Sequence, residues 1–183
     1  LFFILFSFLV IKQYFTQKIG ERRLMNYYLL KIGTIERKLP IVSLGRGIKV
    51  ASFNLLGDSE MVEKIALLMV KKLAKTDFDL LVGPEVKVVP LLHEITRILG
   101  KKRYVVCRKN IHGYMVSPVI SYHKPGLILD GNDAAFLKGK NVVVIDDVVS
   151  SGLTMRVADE LIESVGGKVV AHAAVFKQGE RND

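Results

Sequence analysis

The residue types best suited to chemistry lie together in one stretch, Val142–Thr154, which reads VVVIDDVVSSGLT. Four apolar residues predict a buried strand, and two carboxylates, Asp146 and Asp147, follow it directly. Hydroxyl-bearing residues and a glycine come next, and a helix is predicted from Thr154. Carboxylates accept hydrogen bonds from sugar hydroxyls, whereas hydroxyl side chains and the N–H groups of a helix N-terminus bind phosphate. The stretch therefore predicts a site for a phosphorylated sugar at the carboxyl end of a strand.

A structural alternative treats Ser151 and Thr154 as helix caps and the acidic pair as a solvated strand end, as in receiver-type domains that gather acids around magnesium. Taken whole, however, the run resembles the phosphoribosyl pyrophosphate (PRPP) motif of type I phosphoribosyltransferases position by position. The resemblance extends from about Leu39 to Lys177 and is closest to the adenine phosphoribosyltransferase branch. It implies a PRPP-binding set of Asp146, Asp147, Val148, Val149, Ser150, Ser151, Gly152, Leu153 and Thr154.

The same resemblance implies a pyrophosphate site built from two other segments. The turn Gly83–Lys87 follows a predicted strand and contributes Glu85, Val86 and Lys87, while the pair Arg108 and Lys109 leaves the next strand. Catalysis is expected from Asp146, Asp147, Lys87 and Arg108, and Mg²⁺ is expected to be held by the substrate together with the two aspartates.

The residue that exchanges a proton with the base is absent from its expected places. Ser150 stands where hypoxanthine-guanine enzymes carry an Asp, and residues 110–129, the predicted mobile lid, contain no Asp or Glu. Four lid residues are left as substitutes, namely His112, Tyr114, Tyr122 and His123. The predicted base pocket consists of Phe53, Tyr122, Phe176 and Lys177. Lys177 resembles a Lys with which 6-oxopurine enzymes bind the exocyclic oxygen of the base, whereas the overall resemblance is to adenine-type enzymes. The identity of the base therefore stays open.

The elements that position these residues alternate between strands and helices, which is typical of an α/β fold with an open parallel sheet. The resemblance implies five strands flanked by helices and a small N-terminal hood, for which Asn26–Phe53 predicts two or three short strands. A turn is predicted over Asp130–Asp133. The predicted sheet strands are Phe78–Val82, Tyr104–Cys107, Leu127–Leu129, Val142–Ile145 and Lys168–Phe176. The predicted helices are one that is capped at Asp58 or Ser59 and extends to Leu73, Val88–Leu99 and Thr154–Val165.

The first 24 residues form an apolar and basic extension, and residues 25–183 are predicted to be a single phosphoribosyltransferase domain. Lys12 ends the apolar run Leu1–Ile11 well short of a membrane span. Translation upstream of Met25 is the favoured interpretation of the extension, followed by a membrane-surface anchor and a packed helix. A net charge of +9 attracts polyanions without choosing among them, and the basic residues Lys71, Lys72, Lys101, Lys102 and Arg103 are interpreted as a solvated face.

The single cysteine, Cys107, excludes an internal disulfide and a thiolate zinc cluster, which favours a reducing cytoplasm. The resemblance implies a magnesium-dependent homodimer in purine salvage that uses PRPP and a purine base. The alternatives are a xanthine-type enzyme and a non-catalytic PRPP-sensing regulator. Nucleic-acid binding is not expected, because the extension is too short and too apolar for a winged helix.

Overall fold

The computed structural model describes Leu9–Val10, residues 27–45 and residues 49–178. Its helices are α1 (Ser59–Leu73), α2 (Val89–Ile98), α3 (Gly131–Leu137) and α4 (Leu153–Ser164). Its strands are β1 (Leu9–Val10), β2 (Tyr27–Ile32), β3 (Ile35–Ser43), β4 (Lys49–Ala51), β5 (Leu80–Pro84), β6 (Val105–Cys107), β7 (Val119–Ile120), β8 (Ile128–Leu129), β9 (Asn141–Val149) and β10 (Lys168–Lys177). None of the described helices is both long and apolar enough to cross a bilayer.

The described residues form two compact units, a main unit (9–10 and 55–178) and a small unit (27–45 and 49–54). In the small unit, β2, β3 and β4 form an antiparallel sheet, as the short alternating patterns predict. Leu30, Ile32 and Ile35 are the buried apolar residues of its two longer strands. Apart from β1, the predicted extension 1–24 lies outside the described residues.

The main unit contains a parallel sheet in the order β1-β10-β9-β5-β6, with helices packed on it. Val142 and Val144 of β9 belong to a core shared with α4, whose contributing residues include Met155 and Leu161. Successive side chains of a strand point to opposite faces, and α2 packs against β5. The predicted open α/β sheet is therefore confirmed, and burial on both faces explains why β9 opens with an unbroken apolar run.

One of the predicted sheet strands has a different place. Leu127–Leu129 does not join the parallel sheet; its last two residues, β8, pair antiparallel with β7. Arg108 and Ile128 exchange both backbone hydrogen bonds, at 2.7 and 2.8 Å. A parallel pairing needs a crossover that returns the chain to the amino ends of the strands, and residues 108–127 contain no helix. The segment therefore runs back antiparallel to the end of β6, and the fifth strand of the sheet is β1.

The predicted helices are confirmed to within two residues at their ends, and one further helix, α3, replaces the turn predicted at Asp130–Asp133. Asp58 caps α1 by accepting a hydrogen bond from the backbone N–H of Met61 at 3.1 Å. Asp130 caps α3 in the same way through Asn132, at 2.9 Å. The short α3 lacks a full period of apolar residues, which is why its pattern resembles a turn.

Two of the basic residues interpreted as a solvated face have structural partners. Lys101 donates to the carbonyl oxygen of Phe78 at 2.7 Å. Arg103 pairs with Asp133 and lies over the ring of Phe136, 4.6 Å from its centroid. These contacts attach the start of β6 to its neighbours and give the two side chains a role in the fold.

Candidate functional site

The three segments predicted to carry chemistry meet at one edge of the main sheet. Strands β9, β5 and β6 are adjacent and parallel, with Val82 in register with both Val144 and Val105. Their carboxyl ends therefore lie side by side, the position at which open α/β sheets bind ligands. The acidic pair lies in the last part of β9, whereas Arg108 and Lys109 follow the end of β6. Gly83 and Pro84, predicted to follow a strand that ends at Val82, are the last residues of β5 and lead into Glu85–Lys87.

The acidic pair lies within β9 and not after its end, contrary to the prediction. The strand continues to Val149, and Asp146 and Val148 are in register with Ala174 and Phe176 of β10. β10 runs beside β9 as far as Val149, so the backbone of the acidic pair remains part of the sheet. The local sequence does not reveal this pairing. The carboxylates are thus mounted on a rigid element.

Burial sets the electrostatics of the acidic pair. Asp147 is 8% exposed, and its backbone N–H donates to Oδ1 of Asp146 at 2.8 Å. Burial and the neighbouring Asp147 carboxyl raise the pKa of Asp146 to about 7, while the charge of Lys109 opposes the rise. Oδ2 of Asp147 is buried with no hydrogen-bond partner among the described residues. A buried acceptor without a donor is costly to maintain, so this atom is a candidate contact for a ligand.

The loop after β9 has open space around Gly152. Gly152 adopts φ 73° at the N-cap of α4, and a Cβ built there would have no heavy atom within 4 Å. Ser151 Oγ accepts from the N–H of Leu153 at 3.3 Å. The left-handed conformation favours glycine and turns the chain so that α4 starts with its N–H groups at the loop.

The turn after β5 is held tightly against its neighbours. The N–H of Glu85 donates to the carbonyl oxygen of Cys107 at 2.8 Å, and the peptide bond between Glu85 and Val86 is cis. Val86 and Lys87 are exposed, whereas Val88 is buried beneath them. The turn therefore presents its middle residues to solvent from a fixed base.

Gly83 is required for this close packing, and we expect its replacement by alanine to lower the free energy of unfolding by about 2 kcal/mol. A Cβ at Gly83 would lie 2.5 Å from the carbonyl oxygen of Ile145, a backbone atom of β9 that cannot move alone. Urea denaturation would measure the loss. The control is Gly126→Ala, where a Cβ meets nothing within 4 Å; equal stability of the two variants would contradict the prediction.

The Arg108–Lys109 pair is fastened to the turn by Glu85. Oε2 of Glu85 lies 2.5 Å from Nε of Arg108, and Oε1 accepts from the backbone N–H of Lys109 at 2.7 Å. The opposite side of the guanidinium contacts the lid, with Nη2 of Arg108 3.1 Å from Nε2 of His112. The carboxylate of Glu85 is thus directed at the two basic residues. Glu85 was predicted for the pyrophosphate site, but its contact with the Arg108–Lys109 pair was not, since the two segments are 24 residues apart.

The lid, residues 110–129, has contacts with the start of α3 and with α4. Val116 N–H donates to Asp130 Oδ2 at 3.0 Å, and Nδ1 of His123 lies 2.6 Å from Oε2 of Glu160 on α4. The rings of His112 and Tyr114 stack in parallel, 5.3 Å between centroids. Of the predicted proton-transfer residues, His112 is therefore the one in contact with Arg108.

The predicted base-pocket residues come from different parts of the chain, and the pocket stays a prediction. Phe176 and Lys177 lie beside Val148 and Val149 in the β9–β10 register, next to the hydroxyl loop. Tyr122 is 95% exposed. Phe53 belongs to the small unit.

A groove of about 690 Å³ lies elsewhere in the main unit, between α1 and α2. Its lining includes Asp58, Glu63, His93 and Tyr104, and it contains none of the predicted site residues. The groove is therefore separate from the strand-end site.

Comparisons with known proteins agree with this arrangement. Residues 54–183 match the family model described as the phosphoribosyl transferase domain, a match that starts later than Leu39, where the sequence resemblance begins. An orotate phosphoribosyltransferase of Halorhodospira halophila is 35% identical over 113 residues, 59% of this chain and 47% of that protein. An adenine phosphoribosyltransferase of Caldicellulosiruptor saccharolyticus is 35% identical over 100 residues, 53% of this chain and 56% of that protein. The chain thus spans about half the length of these relatives.

A solved structure has the same fold. The adenine phosphoribosyltransferase of Thermoanaerobacter pseudethanolicus superimposes with a TM-score of 0.62 at 21% identity, over 84% of this chain and 96% of that one.

Proposed function

Because the chain belongs to the phosphoribosyl transferase domain family, we propose that it transfers the phosphoribosyl group of PRPP to a nucleobase nitrogen. The products are a nucleoside monophosphate and pyrophosphate. The observation that carries the proposal is the meeting of the acidic pair, the hydroxyl loop and the Gly83–Lys87 turn at one sheet edge. PRPP carries a ribose, a 5-phosphate and a pyrophosphate, so a single PRPP molecule would contact all three segments.

The acidic pair and the loop bind the ribose 5-phosphate part of the substrate. Asp146 and Asp147 accept hydrogen bonds from the ribose hydroxyls, a role supported by the partnerless buried Oδ2 of Asp147. Residues 150–154 donate hydroxyl and backbone N–H groups to the 5-phosphate at the start of α4. Gly152 allows the backbone to approach the anion closely.

Lys87, Arg108 and Lys109 hold the pyrophosphate as it leaves. When the bond from C1 of the ribose to pyrophosphate breaks, positive charge develops on the ribose and negative charge on the leaving group. Cationic side chains fixed beside the leaving oxygens stabilise that separation more than they stabilise the bound substrate, and so lower the barrier. Arg108 is fixed in this way by the ion pair with Glu85.

Two carboxylates suit a magnesium ion that the substrate largely carries. Among the described residues, no group of three or more His, Cys, Asp or Glu side chains could form a protein cage for a metal. Mg²⁺ is commonly held by one or two carboxylates together with substrate phosphates. Asp146 and Asp147 match this requirement, and Oδ2 of Asp147 has no hydrogen-bond partner among the described residues. When bound, the ion would supply charge neutralisation on the pyrophosphate.

The accepted base is a purine in this proposal, with adenine favoured. The relatives include enzymes named for adenine and for orotate, so a pyrimidine base is the competing outcome and a xanthine-type preference the third. The homodimer, the place in purine salvage and the cytoplasmic location stay predictions.

The test is release of pyrophosphate from PRPP and Mg²⁺ with single bases. We expect adenine to give the highest rate among adenine, hypoxanthine, guanine, xanthine and orotate. A highest rate with orotate would overturn the purine assignment and keep the reaction. Tight PRPP binding without turnover on any base would indicate the regulator instead.

A further inference from the structure

Arg108 is held between two segments that are distant in sequence. Glu85, from the turn after β5, contacts its Nε, and His112, from the lid, contacts its Nη2. The side chain of Arg108 is 31% exposed and that of Glu85 is 17% exposed. Water therefore screens this pair less than it screens an ion pair on the open surface.

The chemistry of guanidinium decides how the lid contact is made. Arginine has only donors and keeps its proton at any ordinary pH. Nε2 of His112, 3.1 Å from Nη2, must therefore be the acceptor, which places the ring proton on Nδ1. A protonated imidazole has two donors and a charge like that of Arg108, so it cannot make this contact.

We propose that Glu85 and His112 are positioning residues that hold Arg108 in place for the leaving pyrophosphate, and that His112 thereby ties the lid to the strand-end site. This inference rests on the proposed phosphoribosyl transfer. The carboxylate of Glu85 forms an ion pair with Arg108 at Nε and accepts from the N–H of Lys109, while Nη2 of Arg108 contacts His112 of the lid. Neither residue needs to touch the substrate.

A positioning role predicts a particular split between the kinetic constants. If Glu85 holds Arg108 for the transition state, Glu85→Gln lowers kcat about tenfold and changes KM for PRPP less than about threefold. The amide oxygen of Gln can still accept from Lys109 N–H, so the backbone contact survives. If Glu85 instead competes with pyrophosphate for Arg108, the same variant lowers KM and leaves kcat unchanged or higher, a result that overturns the inference.

The lid contact is tested with a matched pair of variants. His112→Phe keeps a flat ring beside Tyr114 but offers Arg108 no acceptor, and we expect kcat to fall about fivefold. His112→Gln restores an acceptor oxygen and should recover most of that loss. If Gln is as impaired as Phe, the imidazole acts in another way and the positioning role of His112 is wrong.

Hydrogen exchange gives a readout that does not depend on turnover. In His112→Phe, amides of residues 109–116 should exchange at least about threefold faster than in the parent chain, and in His112→Gln they should not. His123→Phe is the control, because His123 contacts Glu160 and not Arg108. Unchanged exchange in His112→Phe would contradict the tie between lid and strand end.

The two levels of the proposal fail differently. A parent chain that neither binds Mg²⁺–pyrophosphate in calorimetry nor turns over PRPP overturns the proposed function and this inference with it. An active parent whose Glu85 and His112 variants match it in kcat overturns the inference alone. Should Glu85→Gln fail to fold, the His112 pair decides.

Discussion

Replacing Asp146 and Asp147 together by Asn lowers kcat/KM for PRPP by at least about a thousandfold, in our expectation. Both carboxylates lie on β9 beside the hydroxyl loop. The substitution keeps side-chain volume while it removes the charges that orient the ribose hydroxyls and attract the metal-bound substrate. Asn also brings an N–H donor group to the place where Asp147 Oδ2 is a buried acceptor.

Calorimetric titration with PRPP and Mg²⁺, together with pyrophosphate release, would measure the effect. Asp77→Asn is the matched control, because Asp77 is an exposed acid in the connection between α1 and the start of β5, away from the carboxyl ends. Equal PRPP affinity in the parent and the double variant would remove the acidic pair from the site. It would also leave the partnerless Oδ2 of Asp147 without an explanation.

The single substitution Asp146→Asn should stabilise the folded protein at alkaline pH. The pKa of Asp146 is raised from the ordinary 3.8 to about 7 by burial and by Asp147. A raised carboxyl pKa means that the folded state holds a proton that the unfolded state releases. The contribution of this proton to stability is complete below pH 4 and is lost as the pH rises to about 7.

Asn mimics the neutral carboxyl at every pH, so the variant escapes that loss. We expect the two proteins to have similar free energies of unfolding near pH 4, and the variant to be more stable at pH 8. The difference at pH 8 is on the order of 3 kcal/mol, allowing for the part of Asp146 that solvent reaches. Urea denaturation from pH 4 to 8 would measure it, with Asp77→Asn as the control. Parallel curves for parent and Asp146→Asn would show that the pKa of Asp146 is not raised.

The activity of the double variant and the stability of Asp146→Asn together separate binding from folding in the acidic pair. A residue retained for stability alone would lose both activity and stability when replaced. A functional carboxylate placed in a buried setting loses activity and gains stability, because its charge is unfavourable until a ligand arrives. Activity falls while stability rises, whereas a substitution that disturbed the whole fold would lower both.

Neither the groove between α1 and α2 nor the basic residues before β6 indicate a second site. Lys101 and Arg103 have partners within the fold, so their charge does not point to a polyanion. Glu94 and Arg97 line the groove and bind each other through two hydrogen bonds, at 2.7 and 2.9 Å. The strand-end site therefore remains the place where the chemistry of the described residues converges.

Local patterns were enough to predict α1, α2, α4 and the hydroxyl loop after β9. The Gly83–Lys87 turn and the Arg108–Lys109 pair were assigned to the site through the family resemblance. A cap such as Asp58 and an apolar run such as Val142–Ile145 act over a few neighbouring residues, so their signal is contained in the sequence. The order of strands, helices and turns then restricts the fold to an open parallel sheet. That restriction places the ends of β5, β6 and β9 at one edge.

Only the tertiary structure decided how the segments contact one another. Glu85 and Lys109 are 24 residues apart, and whether their side chains meet depends on a strand pairing that no local pattern encodes. The antiparallel return at Ile128 and the extension of β9 through Asp146 depend on partners elsewhere in the chain. The raised pKa of Asp146 has the same origin, since desolvation is produced by the atoms of other segments packed around the carboxyl. Sequence therefore determined which groups are available, and long-range packing determined their contacts and their charge.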